Sequence, residues 1–163
     1  MARQVFYSFH YIPDNWRASQ VRNIGVIEGN RPSTDNDWEQ VTRAGDTAIR
    51  AWIDSQLNYR SCTIVLVGAA TAGRKWINYE IEKSWKDRKG VVGINVHNLK
   101  DSGGKQSFQG NNPFNNIVVN NLSLHQVLKL YNPPYSDSKL VYDYISNNIS
   151  AWVEEAVAIR NKY

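Results

Sequence analysis

The stretch Cys62-Thr-Ile-Val-Leu-Val-Gly68 is a nearly unbroken apolar run, and such a run has few homes in a folded chain. It is too short for a solitary helix, and it lacks the polar alternation of a strand with one wet face. What remains is a central parallel strand covered by helices on both sides. Val91-Val-Gly-Ile-Asn-Val96 repeats the pattern. Residues 3 to 9, Arg-Gln-Val-Phe-Tyr-Ser-Phe, are β-branched or aromatic with a polar interruption and read as a first strand, with Pro13-Asp14-Asn15 as the turn after it.

Helical periods fall between these strands. Trp16 to Asn23 starts a helix, and Ile24-Gly25-Val26-Ile27 is a short second strand. Gly29 to Asp37 is a polar loop. Asn36 and Glu39 form a capping-box pattern ahead of Val41, Ala44, Ala48 and Trp52, which predicts a helix over Trp38–Leu57. After the small residues Ala69 to Gly73, a helix over Lys75–Lys89 presents Ile77, Ile81, Ser84 and Trp85 as one inward stripe. A polar segment from about Asn98 to Asn116, carrying Gly103-Gly104, has no periodicity and predicts a mobile surface loop beside the ligand site. Gln126 to Tyr131 reads as an edge strand, and Ser138 begins a terminal helix with Val141, Tyr144, Ile145, Asn148, Ile149, Trp152, Val153 and Ala156 on one face.

Strands alternating with helices predict an α/β fold, a flavodoxin-like parallel sheet of about five strands in a single domain spanning 1–163. A domain of this length buries roughly 70% of its unfolded surface, enough for a proper core. In such sheets ligands bind at the carboxyl ends of the strands. The residues to watch are therefore Ser8 to Tyr11, Gly68 to Gly73 and the first turns of the next helix.

Composition closes off other classes. No apolar stretch approaches the roughly 20 residues that span a bilayer. The first residues lack the apolar core and cleavage site of a secretory signal, so the expected location is cytoplasmic. The lone Cys62 has no internal partner and reads as a core thiol in a reducing compartment. The net charge of +4 is spread over scattered residues, and the cluster Arg74, Lys75, Lys83, Lys86, Arg88 and Lys89 reads as a solvated helix face rather than a nucleic-acid footprint. Gly68 and Gly73 bracket a loop that lacks the hydroxyl of a phosphate-binding NTPase motif, and no GxGxxG is present. His10, His97, His125 and Cys62 show no metal-ligand spacing, and Ser8 sits on no nucleophile elbow.

Trp76 and Glu80 are one helical turn apart, neighbours on one face, at a flank between core and solvent. Periodicity alone leaves two readings of Glu80. It is a solvated partner of Lys83 or Ser84, or it is a carboxylate beside an aromatic wall of a cleft.

Val5-Phe-Tyr-Ser-Phe-His10 resembles the opening strand of TIR domains, and Trp76-x-x-x-Glu80 resembles the tryptophan-glutamate pair of those that cleave NAD. Val21-Arg-Asn23, Trp38-Glu39, Thr63 to Gly68, Arg74 to Ser84, Val92 to His97 and Asn112-Pro-Phe114 extend the likeness over about residues 3 to 155, to the TIR-like subunit of bacterial Thoeris antiphage systems. The resemblance implies an enzyme with NAD as substrate and no cofactor. It would release nicotinamide and make a cyclic or conjugated ADP-ribose signal for a separate defence effector, with homo-oligomers forming on activation. It implies Glu80 as the essential carboxylate and Trp76 as a stacking surface. Ser8 either bonds the ribose or caps the strand, and Phe9 either walls the pocket or fills the core. His10 stands where many TIR domains carry an arginine and is either a phosphate contact or a neutral surface histidine. Asp37 and Trp38 fall on the loop that forms the pocket rim or an assembly surface. Two other readings remain open, a TIR-like adaptor without catalysis and a nucleoside deoxyribosyltransferase.

Overall fold

The computed structural model describes residues 3–25, 28–29, 41 and 43–163. Its main sheet joins β1 (Gln4–Phe9), β2 (Glu28–Gly29), β3 (Cys62–Val67), β4 (Gly90–Asn95) and β7 (Leu130–Tyr131) in the order β2-β1-β3-β4-β7. Every pairing in it is parallel, including the full register of β3 on β1 and β4. This is the flavodoxin-like order expected from the sequence. All of β3 and β4 is buried, which accounts for the unbroken apolar runs. A small antiparallel pair, β5 (Val118–Val119) and β6 (Leu122–Ser123), stands apart from the sheet.

Side chains alternate across the strands and build two cores. On one face Val5, Tyr7, Ile64, Leu66, Val92 and Ile94 meet Ala18 and Val21 of α1 (Tyr11–Arg22) and the stripe Val141, Ile145, Ile149 and Trp152 of α4 (Ser138–Asn161). On the other, Val65, Val67 and Val91 meet Ile77, Ile81 and Trp85 of α3 (Lys75–Lys86), while Phe6 meets Ile49, Ile53 and Leu57 of α2 (Asp46–Leu57). Among the described residues no helix is long and apolar enough to cross a membrane.

Four local readings need correction. Pro13 does not mark a turn: α1 starts at Tyr11, and a proline in the first turn costs no helical hydrogen bond because those N–H groups have no partner within the helix. The second strand is Glu28–Gly29, with Ile24 and Gly25 outside it. The helix expected from Trp38 is broken at Gly45, whose φ of 91° is not helical, so α2 starts at Asp46. The Asn36–Glu39 cap and the loop before it lie outside the described residues. At the edge, the strand is confined to Leu130–Tyr131, and Leu124–Gln126 is a short 3₁₀ turn.

The long polar segment carries no helix or strand between residues 96 and 117, but it is not a simple surface loop. Leu99 and Phe114 are fully buried in the two cores. Arg17 of α1 donates to the Leu99 carbonyl at 2.8 Å and the Lys105 carbonyl at 2.9 Å, tying the segment to the sheet's carboxyl edge. Gly110 sits so tightly against Gly68 that a Cβ there would lie 2.2 Å from the Gly68 carbonyl oxygen.

Candidate functional site

Near the carboxyl end of β1, Ser8 meets Glu80 of the second turn of α3. On α3 the buried face is Ile77, Glu80, Ile81, Ser84 and Trp85, one residue wider than the apolar stripe. Glu80 is therefore not on an open flank: it is 8% exposed and points inward beside Ser84. Polar surface supplied by the strands makes this placement possible. Ser8, itself 1% exposed, donates its hydroxyl proton to Glu80 Oε2. Ser84 Oγ donates to the Glu80 main-chain carbonyl at 2.6 Å and lies 2.7 Å from Thr63 Oγ1.

Burial is the main influence on this carboxyl. It raises the group, and with the smaller, opposing pull of the Ser8 hydroxyl the carboxyl stands at about 8. At neutral pH the protonated form of the group is favoured. A carboxyl in this condition sits close to balance between its two forms, and a nearby cation converts it to the anion. The solvated ion pair allowed by periodicity is not formed, since Lys83 is 3.2 Å from Asp87 instead.

The other expected site residues divide by strand parity and helix face. Ser8 and Phe9 point to opposite sides of β1. The Phe9 ring packs against the α1-side core, 6.1 Å from the Tyr11 ring centroid and 6.0 Å beneath the Arg22 guanidinium. His10 is the N-cap of α1, half-buried, with its pKa lowered by burial and then by the Arg74 guanidinium. It is therefore a neutral histidine at the mouth of the first strand, near the start of α3. Trp76 turns toward α2: Tyr79 meets its ring edge-on at 5.8 Å, Arg50 lies over it at 6.0 Å and Lys75 Nζ at 4.9 Å. Its ring helps dock α3 on α2. Asp37 and Trp38 lie outside the described residues.

A second polar group lines the same edge and was not singled out from the sequence. Asp14 and Arg17 form a buried ion pair at 2.8 Å, one helical turn apart on α1. The Asp14 carboxylate fills the space where residue 68 would carry a side chain, because a Cβ on Gly68 would lie 2.1 Å from Asp14 Oδ2. The crevice between the first and central strands, the switch point of this topology, is thus occupied by Asp14. The only cue in the sequence was the i, i+3 spacing of the two charges, and that spacing also fits an exposed pair.

Three of the six cations around α3 are engaged locally. Lys75 pairs with Asp46, Lys83 with Asp87, and Lys89 donates to the Arg60 carbonyl at 2.7 Å.

Two comparisons bear on this site. Residues 6–101 match the family model described as "Thoeris protein ThsB, TIR-like domain", a span that holds most of β1, all of α3, Ser8 and Glu80. Over 136 residues the chain is 35% identical to "Putative cyclic ADP-D-ribose synthase ThsB1" of Bacillus cereus (strain MSX-D12), covering 80% of this chain and 71% of that protein.

Proposed function

The chain belongs to the Thoeris ThsB TIR-like family, and from that premise we propose that it cleaves NAD between nicotinamide and ribose and makes an ADP-ribose-derived nucleotide signal. The observation that carries this reading is the buried Glu80 carboxyl, held by Ser8 at the carboxyl edge of a parallel sheet.

NAD brings a positively charged pyridinium ring. Beside it the Glu80 carboxyl loses its proton to solvent, because an adjacent cation favours the ionised form. As the bond from the ribose carbon to the nicotinamide nitrogen breaks, its electron pair leaves with neutral nicotinamide and positive charge passes to the ribose. A carboxylate fixed there in advance stabilises that charge where water is excluded. An incoming nucleophile then forms the new bond at the ribose carbon and gives up its proton. Water yields ADP-ribose, while a nitrogen of the bound nucleotide yields a cyclic product when it is held closer than water. The relative named as a cyclic ADP-D-ribose synthase favours the second outcome.

Ser8 keeps Glu80 in place and lies where a ribose hydroxyl would approach. His10 and Arg74 stand at the same edge as a neutral and a charged donor for phosphate. Asp37 and Trp38 are proposed for the rim, and Trp76 for seating α3 rather than for stacking on the substrate. The product would act on a separate defence effector in the cytoplasm, and activation would proceed through self-association.

Incubating the chain with NAD and, separately, with 2′-deoxynucleosides tests the assignment, with products followed by mass spectrometry. Nicotinamide and an ADP-ribose species from NAD, with no free base from deoxynucleosides, is the expected result. Free base from deoxynucleosides would move the chain to the transferase class. Inertness toward both under conditions where it self-associates would leave an adaptor.

A further inference from the structure

We propose that Thr63 and Ser84 are positioning residues that fix the Glu80 carboxyl against Ser8; the role rests on the reading of Glu80 as the reacting carboxylate. Both hydroxyls are fully buried between β3 and α3. Ser84 has one proton, and its 2.6 Å contact with the Glu80 carbonyl uses it. The 2.7 Å contact with Thr63 is therefore donated by the threonine. A chain of two hydrogen bonds thus runs from β3 through Ser84 to the backbone of Glu80.

The strand register gives this chain its purpose. Thr63 pairs with Phe6 and Ser8 with Val65, so Thr63 and Ser8 lie on the same face of neighbouring strands, one pleat apart. Glu80 is consequently held at two points, its main chain by β3 and its side chain by β1. The other buried contacts of this face, Ile77, Ile81 and Trp85, are apolar and non-directional. They resist separation of the helix from the sheet but tolerate small rotations, whereas hydrogen bonds specify angle and distance. A reacting carboxylate needs placement to within about 0.5 Å, finer than apolar packing alone provides.

Stability does not explain the two hydroxyls. An alanine and a valine would fill nearly the same volume without burying polar groups. A serine that bonds back to the carbonyl four residues earlier also weakens and bends a helix slightly. Their benefit is the fixed rotation of α3.

The test is the titration of the Glu80 carboxyl in the full chain, followed by NMR of side-chain ¹³C-labelled glutamate. It compares wild type with Thr63→Val, Ser84→Ala and Thr63→Ser, and kcat and KM for nicotinamide release are measured on the same proteins. Wild type is expected to titrate at about 8. Thr63→Val and Ser84→Ala free the carboxyl to reach water, so their midpoints fall toward the ordinary glutamate range. Their kcat falls about tenfold with little change in KM, since loss of alignment acts on the transition state. Thr63→Ser, which restores a hydroxyl, returns the midpoint. A midpoint unmoved by both substitutions overturns the proposal whatever the rates do. Thr63→Val, nearly isosteric, keeps the test open should Ser84→Ala fold poorly. Full activity in a Glu80→Gln variant would instead remove the catalytic reading and leave the titration result standing.

Discussion

Replacing Glu80 with glutamine is expected to make the fold more stable at pH 8 while changing its stability by no more than about 1 kcal/mol at pH 5. In the folded chain the carboxyl is raised to about 8, chiefly by burial, against an ordinary value of 4.5. Between those values the folded state keeps a proton that the unfolded state has released. The unfolded form is then favoured more with each rise in pH, by ~1.4 kcal/mol per pH unit. The stability associated with the neutral carboxyl is full below the unfolded value and is lost as pH rises through the folded one. By neutral pH the loss is on the order of 3 kcal/mol, and it levels off above about pH 8. Glutamine keeps the shape and an acceptor for the Ser8 hydroxyl but never ionises, so the variant does not undergo this loss. At pH 8 the loss has grown to roughly 4 kcal/mol, and since each kcal/mol moves the midpoint of a chain of this length by roughly 2–4 °C, the expected gain there is roughly 8–16 °C. Thermal and urea melts of both proteins at pH 5 and pH 8 decide it. Parallel pH dependence in the two proteins would mean that the Glu80 carboxyl reaches water in solution and would refute the linkage.

Three further perturbations probe the surroundings of the site. Arg17→Met leaves the Asp14 carboxylate buried without its partner and releases the Leu99 and Lys105 carbonyls, so urea melts should show a loss of roughly 3–5 kcal/mol, with Asp14→Asn/Arg17→Met recovering much of it. Gly68→Ala places a methyl 2.1 Å from Asp14 Oδ2, on a carboxylate that Arg17 holds through its other oxygen, and melts should show a cost of roughly 1–3 kcal/mol. Gly103→Ala, whose methyl would meet only Asp101 Oδ1 at 3.4 Å, serves as the neutral control. Trp76→Ala should lower stability by about 2 kcal/mol in the same assay through lost packing against α2, with KM for NAD little changed; a selective rise in KM would restore Trp76 to the substrate.

The sheet was legible because β3 and β4 are covered on both faces, and burial of that kind writes itself as an apolar run. The stripe of α4 was legible for a similar reason, since every turn meets the same core. Helix starts were less so. Pro13 is compatible with a turn or with a first helical turn, and only the packing of Ala18 and Val21 on the sheet selects the second. Within the site, Ser8 could be picked out as a strand-end hydroxyl, and Glu80 stood out through a family likeness. Its burial could not be read, because an acidic residue bordering an apolar stripe is usually solvated and the hydroxyl that receives its carboxyl, Ser8, comes from a strand distant in sequence. Trp76 illustrates the converse. Spacing made it a neighbour of Glu80, but Arg50 and Tyr79 decide where its ring lies.

The most direct test of the account is nicotinamide release from NAD by wild type and Glu80→Gln, measured side by side under conditions in which wild type turns over and with both proteins shown to melt cooperatively. Loss of one preorganised electrostatic contact typically lowers the rate by about 10² to 10³, and the account predicts a fall at least that large in a variant no less stable than wild type. A variant that melts cooperatively and releases nicotinamide at the wild-type rate would contradict it.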